Sequence, residues 1–393
     1  MSLFSWLRNR SSNSPAPHRS PRRPSTRCFR PRLETLESRA MLSAYTAATA
    51  ADLIADINAA NKAGGANSIT LTAPTSSPYV LTAVNNSTDG PTGTPEISGG
   101  TRKVPADNLT IVGNGDTIER GTNAPFRLFD VATGGSLTLE NLTLANGVAY
   151  GAGSAAQGGA VRNQGTLLLS QVTVGGNEAL GVFYQSKKSS SSGDAAGGGI
   201  WSSGALTVEN QSVIHSNTVS GAGNGNAYGG GICSSGALTV ENQSVIQLNS
   251  VIGAGTGSGY GGGIAIVGGT ADIDSTTIGS FPSPAETYGG NSALGGYQND
   301  GIYAPNGPGA GYGGGIYVGA GTVTLTNDVI EGNSAGSYID MLFEGFDDLG
   351  YGGGIYIASV ATVYLDTNTL IRGNTGLAPS ATTDIYGQVT LLA

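Results

Sequence analysis

The chain has 393 residues, of which 65 are glycine and 11% are charged, and it lacks the Gly-X-Y period and the proline content of collagen, so glycine here separates short strands. Its charge is divided: residues 1–44 carry nine Arg, no Lys and only Glu34 and Glu37, a net of +7, while the remainder carries 9 basic and 25 acidic residues, a net of −16. An acidic body of that kind lacks the clustered Lys and Arg that nucleic acid or an anionic membrane demands, and no run reaches the roughly 18 apolar residues of a spanning helix.

Residues 1–32 are rich in Arg, Ser and Pro with little apolar patterning, which predicts a segment that does not fold. An ordinary secretory signal has an apolar centre of about 7 to 15 residues, and only Leu3 to Leu7 hints at one. The next stretch, Arg32-Leu-Glu-Thr-Leu-Glu-Ser-Arg-Ala-Met-Leu-Ser-Ala44, resembles the leader motif of planctomycete extracellular proteins, a Leu-Glu-x-Arg-x-Leu-Leu-Ser-Ala pattern, with Met41 where that family usually has Leu. The resemblance implies export to the cell surface or beyond, with residues 1–44 as a disordered basic leader and 45–393 as the folded domain. Cys28 falls in the leader and Cys233 in the body, so no internal disulfide is expected.

Residues 49–62 carry Leu53, Ile54, Ile57 and Ala60 at helical spacing, with Asp52 and Asp56 in the early turns where the helix dipole favours acids. One short amphipathic helix ahead of a β-rich chain is expected to act as a lid over the first exposed rung of a stack. From Ser68 onward the pattern alternates in the strand manner, with short apolar runs such as Leu109-Thr-Ile111, Leu137-Thr-Leu139 and Leu142-Thr-Leu144 separated by glycine or asparagine.

Tyr-Gly-Gly-Gly-Ile then recurs at Tyr228, Tyr260, Tyr312 and Tyr351, with looser copies at Gly197 and Gly158, and the segments from Gly199 to Ile214 and from Gly231 to Ile246 differ at a single position. Such units cannot bury an apolar face alone and must stack. Within each, Leu206 and Val208 share one face and Thr207 and Glu209 the other, so one side enters a core. Three strands per unit are read, with left-handed bends at Asn141, Asn210, Asn242 and Asn327. The third strand is closed by Asn177, Asn217, Asn249, Asn333 and Asn374, expected to bond from one circuit to the next. The fold class is therefore all-β, a right-handed single-stranded parallel β-helix with a short N-terminal capping helix.

The Gly-Gly-Ala/Gly-Ile openings and Val/Ile-x-x-Asn closings resemble the repeats of chlamydial polymorphic outer-membrane proteins and, more widely, bacterial surface proteins of the pectin-lyase-like β-helix superfamily, over about residues 108–390. Ile or Val replaces the Phe common in the chlamydial motif, and no C-terminal barrel follows, so autotransport is not expected. In that superfamily the first-strand sheet commonly forms a sugar-binding groove. By that resemblance Trp201, Tyr317 and Tyr356, each following an opening Ile, are candidates to stack on sugar rings; the alternative is aromatic pairing across strands. Pectate-lyase-like chemistry needs an arginine base beside calcium-binding acids; Arg162, with Arg127 and Asp130, is the suggestive set, and Arg162 joins Trp201, Tyr317 and Tyr356 as a fourth substrate-binding candidate.

The variable loops from Gly181 to Ala196, Phe281 to Gly311 and Ala335 to Gly350 are placed between a closing Asn and the next glycine run, projecting from one edge. One of them carries Asp340, Glu344, Asp347 and Asp348, a conceivable calcium site because hard cations take carboxylate oxygens; a solvated acidic loop is the plainer reading. His215 faces Gln247 in the sister repeat, so no Ser-His-Asp arrangement is expected. Paired Asp with Gly-His-Gly and Arg-Ile-Lys motifs, the polygalacturonase signature, is missing. The expectation is an exported or cell-surface protein, non-catalytic, acting in adhesion or in binding an extracellular polysaccharide or a neighbouring cell surface. The alternative is a polysaccharide lyase or glycoside hydrolase acting on acidic polysaccharide.

Overall fold

The computed structural model describes residues 43–184, 192–280, 289–296, 309–337, 349–376 and 384–392. The chain enters the fold as strand Ser43–Ala47, parallel to Gly65–Leu71, and the connection between them is the helix α1, Ala50–Ala63. Thr49 caps α1: its side chain accepts from the Asp52 main-chain N–H at 3.2 Å and its hydroxyl donates to Asp52 Oδ2 at 2.9 Å. Leu53, Ile57 and Ala60 are fully buried against the first strands, so the helix covers the end of the stack as its periodicity implies.

Beyond it the chain winds as a right-handed parallel β-helix, and every pairing between its strands is parallel from Ser43–Ala47 to Thr390–Leu391. A representative circuit contains five short strands: Ala227–Tyr228, Ile232–Ser234, Ala237–Val240, Val245–Gln247 and Ser250–Ile252. The three-strand reading is thus corrected by two. A strand follows each closing asparagine, and a two-residue strand ending in Tyr or Ala precedes each glycine run from Gly197 onward. Both are too short to show alternation. The variable loops leave from between these two added strands, apart from residues 281–288, which interrupt the chain before Asn291.

Core residues repeat rung by rung. Ile200, Ile232, Ile264, Ile316, Ile355 and Ile385 pair in register along one sheet. Leu206, Leu238, Ala271, Val323 and Val363 do so along another. A second, narrower cluster of Ala149, Ala179, Val219, Val251 and Ala293 with Ala195 and Ala227 lies beneath the two added strands. The sheets there approach so closely that a Cβ on Gly259 would lie 2.3 Å from the Leu294 carbonyl oxygen, which is why small residues line this part of each circuit. In the glycine run itself Gly229 has φ +62, and a Cβ on Gly230 would meet the Gly262 oxygen at 2.3 Å.

The bends and closures follow the expected chemistry. Asn141, Asn210, Asn242 and Asn327 all have φ between 49 and 56. The closing asparagines are buried and form a continuous ladder, each side-chain amide donating to the next rung's carboxamide oxygen at 2.9 Å from Asn177 through Asn217, Asn249, Asn291 and Asn333 to Asn374. Asp384 terminates it, accepting from Asn374 at 2.9 Å.

Candidate functional site

The residue after each inward Ile, Val or Phe of the first strand lies in one register column: Asp130, Arg162, Trp201, Cys233, Ala265, Tyr317, Tyr356 and Tyr386. All four substrate-binding candidates therefore share one line along one sheet. Trp201 is separated from Tyr317 by Cys233 and Ala265, both buried, so the column divides into a charged part and an aromatic part.

In the charged part Arg162 is only 4% exposed and is held on several sides. Its Nη1 lies 2.6 Å from Asp89 Oδ2 and 3.3 Å from Asp130 Oδ1, its Nε donates to Gln157 Oε1 at 3.3 Å, and its guanidinium carbon sits 5.2 Å from the Trp201 ring centroid. Asp89 and Glu96 come from the irregular segment before the repeats, which runs beside the first full circuit. Gly93 donates to the Arg127 carbonyl and Ile97 to that of Asp130, each at 2.8 Å. One carboxylate oxygen from each of Asp89, Glu96 and Asp130 lies within 4.8 Å of the other two. Fully buried Arg127 completes the group, its Nη1 donating to the Asp89 carbonyl at 2.9 Å and lying 4.0 Å from Asp130 Oδ2.

Burial raises the Asp130 carboxyl above its ordinary range against the pull of Arg127 and Arg162. Glu96 is raised by burial and then by the negative charges of Asp130 and Asp89. Burial also lowers Arg127 to about 10, still cationic at neutral pH. The guanidinium of Arg162 occupies the space between two carboxylates and supplies the countercharge that a divalent ion would bring there. A Brønsted base must reach the substrate, whereas this guanidinium is 4% exposed and enclosed by two carboxylates and a ring face.

The aromatic part is a double column. Tyr228, Tyr260, Tyr312 and Tyr351 stack with centroids 4.8, 5.1 and 5.4 Å apart, as the sequence spacing suggests. Tyr317, Tyr356 and Tyr386 stack at 5.6 and 5.1 Å, and each packs obliquely on a ring of the first column at 4.8, 4.9 and 5.3 Å. The facing sides of Tyr317 and Tyr356 are covered by each other. Gly319 leaves room for the Tyr317 ring, since a Cβ there would lie 2.6 Å from it.

His215 lies on the broad sheet, away from both parts, over Gly175 of the neighbouring circuit and 3.0 Å from the Ser216 hydroxyl. Cys233 is a buried free thiol whose pKa burial pushes up to about 12, which leaves it without thiolate character at neutral pH. The candidate calcium ligands Asp340, Glu344, Asp347 and Asp348 lie outside the described residues, as does most of the leader. Asp89, Glu96, Asn291 and Tyr386 are missed by sequence reasoning. For Asn291 a signal exists, since Gly290-Asn-Ser-Ala293 repeats Gly332-Asn-Ser-Ala335, but the insert at 281–288 breaks its spacing from Ile278. Comparison with family models, with curated proteins and with solved structures found no match.

Proposed function

We propose that this chain is an exported or cell-surface β-helix protein that binds glycan without turning it over. The observation that carries the reading is the state of Arg162, which is paired with Asp89 and Asp130, stacked on Trp201 and almost wholly buried. A group so engaged serves as a staple between the leading segment and the first circuits, and is poorly suited to removing a proton from a sugar ring. The repeat resemblance to pectin-lyase-like and polymorphic outer-membrane surface proteins, and the leader-like stretch at 32–44, support the surface setting. The acidic exterior and the rows of Thr, Asn, Gln and Glu that recur on successive circuits are the side chains with which hydroxyl groups exchange hydrogen bonds.

A binding screen of the protein against neutral and acidic polysaccharides, with and without calcium, tests this reading. Saturable binding to at least one glycan is expected. Binding to none of them in either condition would overturn it.

A further inference from the structure

At the corner between the two strands that each circuit contributes to the broad sheet, three successive circuits form an open groove of about 410 Å³ lined by Ser170, Gln171, Asn210, Gln211, Asn242 and Gln243. No cation and no aromatic ring belongs to its lining. It lies on a different side of each circuit from the Arg162 and tyrosine column, because the corner joins strands such as Ala205–Glu209 and Val213–His215.

The glutamines are unusual in three ways. Each adopts left-handed backbone geometry, with φ of 57 at Gln171, 64 at Gln211 and 62 at Gln243. Glycine would take that conformation without steric cost, and asparagine tolerates it far better than glutamine does. Second, the turn does not depend on their side chains: it is the main-chain N–H groups that donate, to the Glu209, Asn242 and Ser275 carbonyls at 3.4, 2.9 and 3.0 Å. Third, the three carboxamides make no hydrogen bond among the described residues, whereas those of Asn210 and Asn242 are committed to the wall, to Ser170 Oγ and Glu209 Oε1 at 3.0 and 2.9 Å and to Glu241 Oε1 at 3.2 Å. Duplication accounts for the likeness of Gln211 and Gln243. It does not account for Gln171, the single corner residue of its own circuit and in the register place of Asn210, in a stretch Leu168-Leu-Ser-Gln-Val-Thr-Val174 that shares little else with them.

The bend demands a left-handed residue in each of these circuits, but not a glutamine; three glutamines at this corner of consecutive circuits, exposed and with uncommitted carboxamides, set a row of amide groups along the groove. Each carboxamide offers two donors and an acceptor, and successive circuits present them at about the 4.8 Å strand separation. Glu209 and Glu241 flank the groove, so an anionic chain would be repelled. We propose that this corner binds a neutral, hydroxyl-rich polysaccharide strand lying along the rod, with Gln171, Gln211 and Gln243 as contacts on successive circuits. This assignment rests on the glycan-binding reading above and names its site and its ligand class.

The test uses the whole protein, calorimetric titration and four probes: the hexasaccharides of β-1,4-glucan, β-1,3-glucan and β-1,4-mannan, and polygalacturonate as the acidic arm. At least one neutral hexasaccharide should bind, and the triple variant Gln171→Ala, Gln211→Ala, Gln243→Ala should weaken it at least tenfold. The pair Gln211→Gly, Gln243→Gly separates binding from folding. It removes two carboxamides while relieving the backbone, so thermal stability should hold or rise as affinity falls. Unchanged affinity in either variant, loss of affinity in Trp201→Ala alone, or binding of polygalacturonate but no neutral probe would overturn the groove and leave the wider glycan reading standing. Binding of no probe overturns both.

Discussion

The side chain of Asn217 donates from Nδ2 to Oδ1 of Asn249 at 2.9 Å, and the main-chain N–H of Asn217 donates to the same oxygen at 3.0 Å. One carboxamide thus satisfies two buried donors of the rung before it. Its own Nδ2 donates to the Ile214 carbonyl and to Asn291, each at 2.9 Å. Only a side chain that both accepts and donates can sit in the middle of such a ladder, and only at its end does a pure acceptor, Asp384, suffice.

Asn249→Ala should therefore cost more than an ordinary buried hydrogen bond. It leaves the buried Asn217 N–H without a partner, at about 1–3 kcal/mol, and removes the side-chain bonds to Asn217, Ile214 and Asn291, so a total loss of about 3 kcal/mol is expected in urea unfolding. Asn249→Asp, though equal in shape, sets an acceptor against the Ile214 carbonyl. It should be at least as damaging at pH 7 and less so at pH 4, where the acid can donate.

Arg162→Met should destabilise by about 3–5 kcal/mol, the usual result of stripping one partner from a buried pair, because Asp130 is fully buried. The double variant with Asp130→Asn should recover a large part of that loss. Equal unfolding midpoints for the single and double variants would show that the ion pair is not what fixes the leading segment.

Asp328 occupies the position that Ser212, Ser244 and Thr276 hold in earlier circuits, and burial raises its carboxyl to about 8 although the Thr276 and Thr326 N–H groups donate to it at 2.9 and 3.1 Å. An unfolded aspartate titrates near 3.9. The folded state therefore keeps a proton that the unfolded chain gives up between about pH 4 and pH 8. The resulting stability is full below that window and lost as pH rises through it. Unfolding free energy should fall from pH 4.5 to pH 8, and Asp328→Ser should flatten the slope.

The tyrosine slab has a spectroscopic signature. Burial, and then the neighbouring phenols, push Tyr312 and Tyr317 up to about 12, so an alkaline absorbance titration should show a late-ionising class. Tyr312→Ala removes three ring contacts, to Tyr260, Tyr351 and Tyr356. At about 0.5–1.5 kcal/mol per contact, a loss of about 2–4 kcal/mol is expected.

What repeated in sequence was legible, because one physical demand recurs in most circuits: an inward Ile, a left-handed Asn, a closing Asn. The strands Thr218–Ser220 and Ala227–Tyr228 were not, since two or three residues cannot display a period. Asp89 and Glu96 were hidden for another reason. Their segment has no repeat, and only its long-range pairing with 127–131 brings them to Arg162. The three glutamines are illegible in sequence because Gln after Ser or Asn in a turn reads as filler until its φ and its idle carboxamide are seen together.

The reading of the molecule as a binder rather than an enzyme meets its most direct test in prolonged incubation of the protein with pectate and other acidic polysaccharides, with and without calcium, assaying for unsaturated and reducing ends. No product above the buffer control is expected, even where the glycan is retained by the protein. Steady release of either kind of end, abolished by Arg162→Ala in a variant that remains folded, would contradict it.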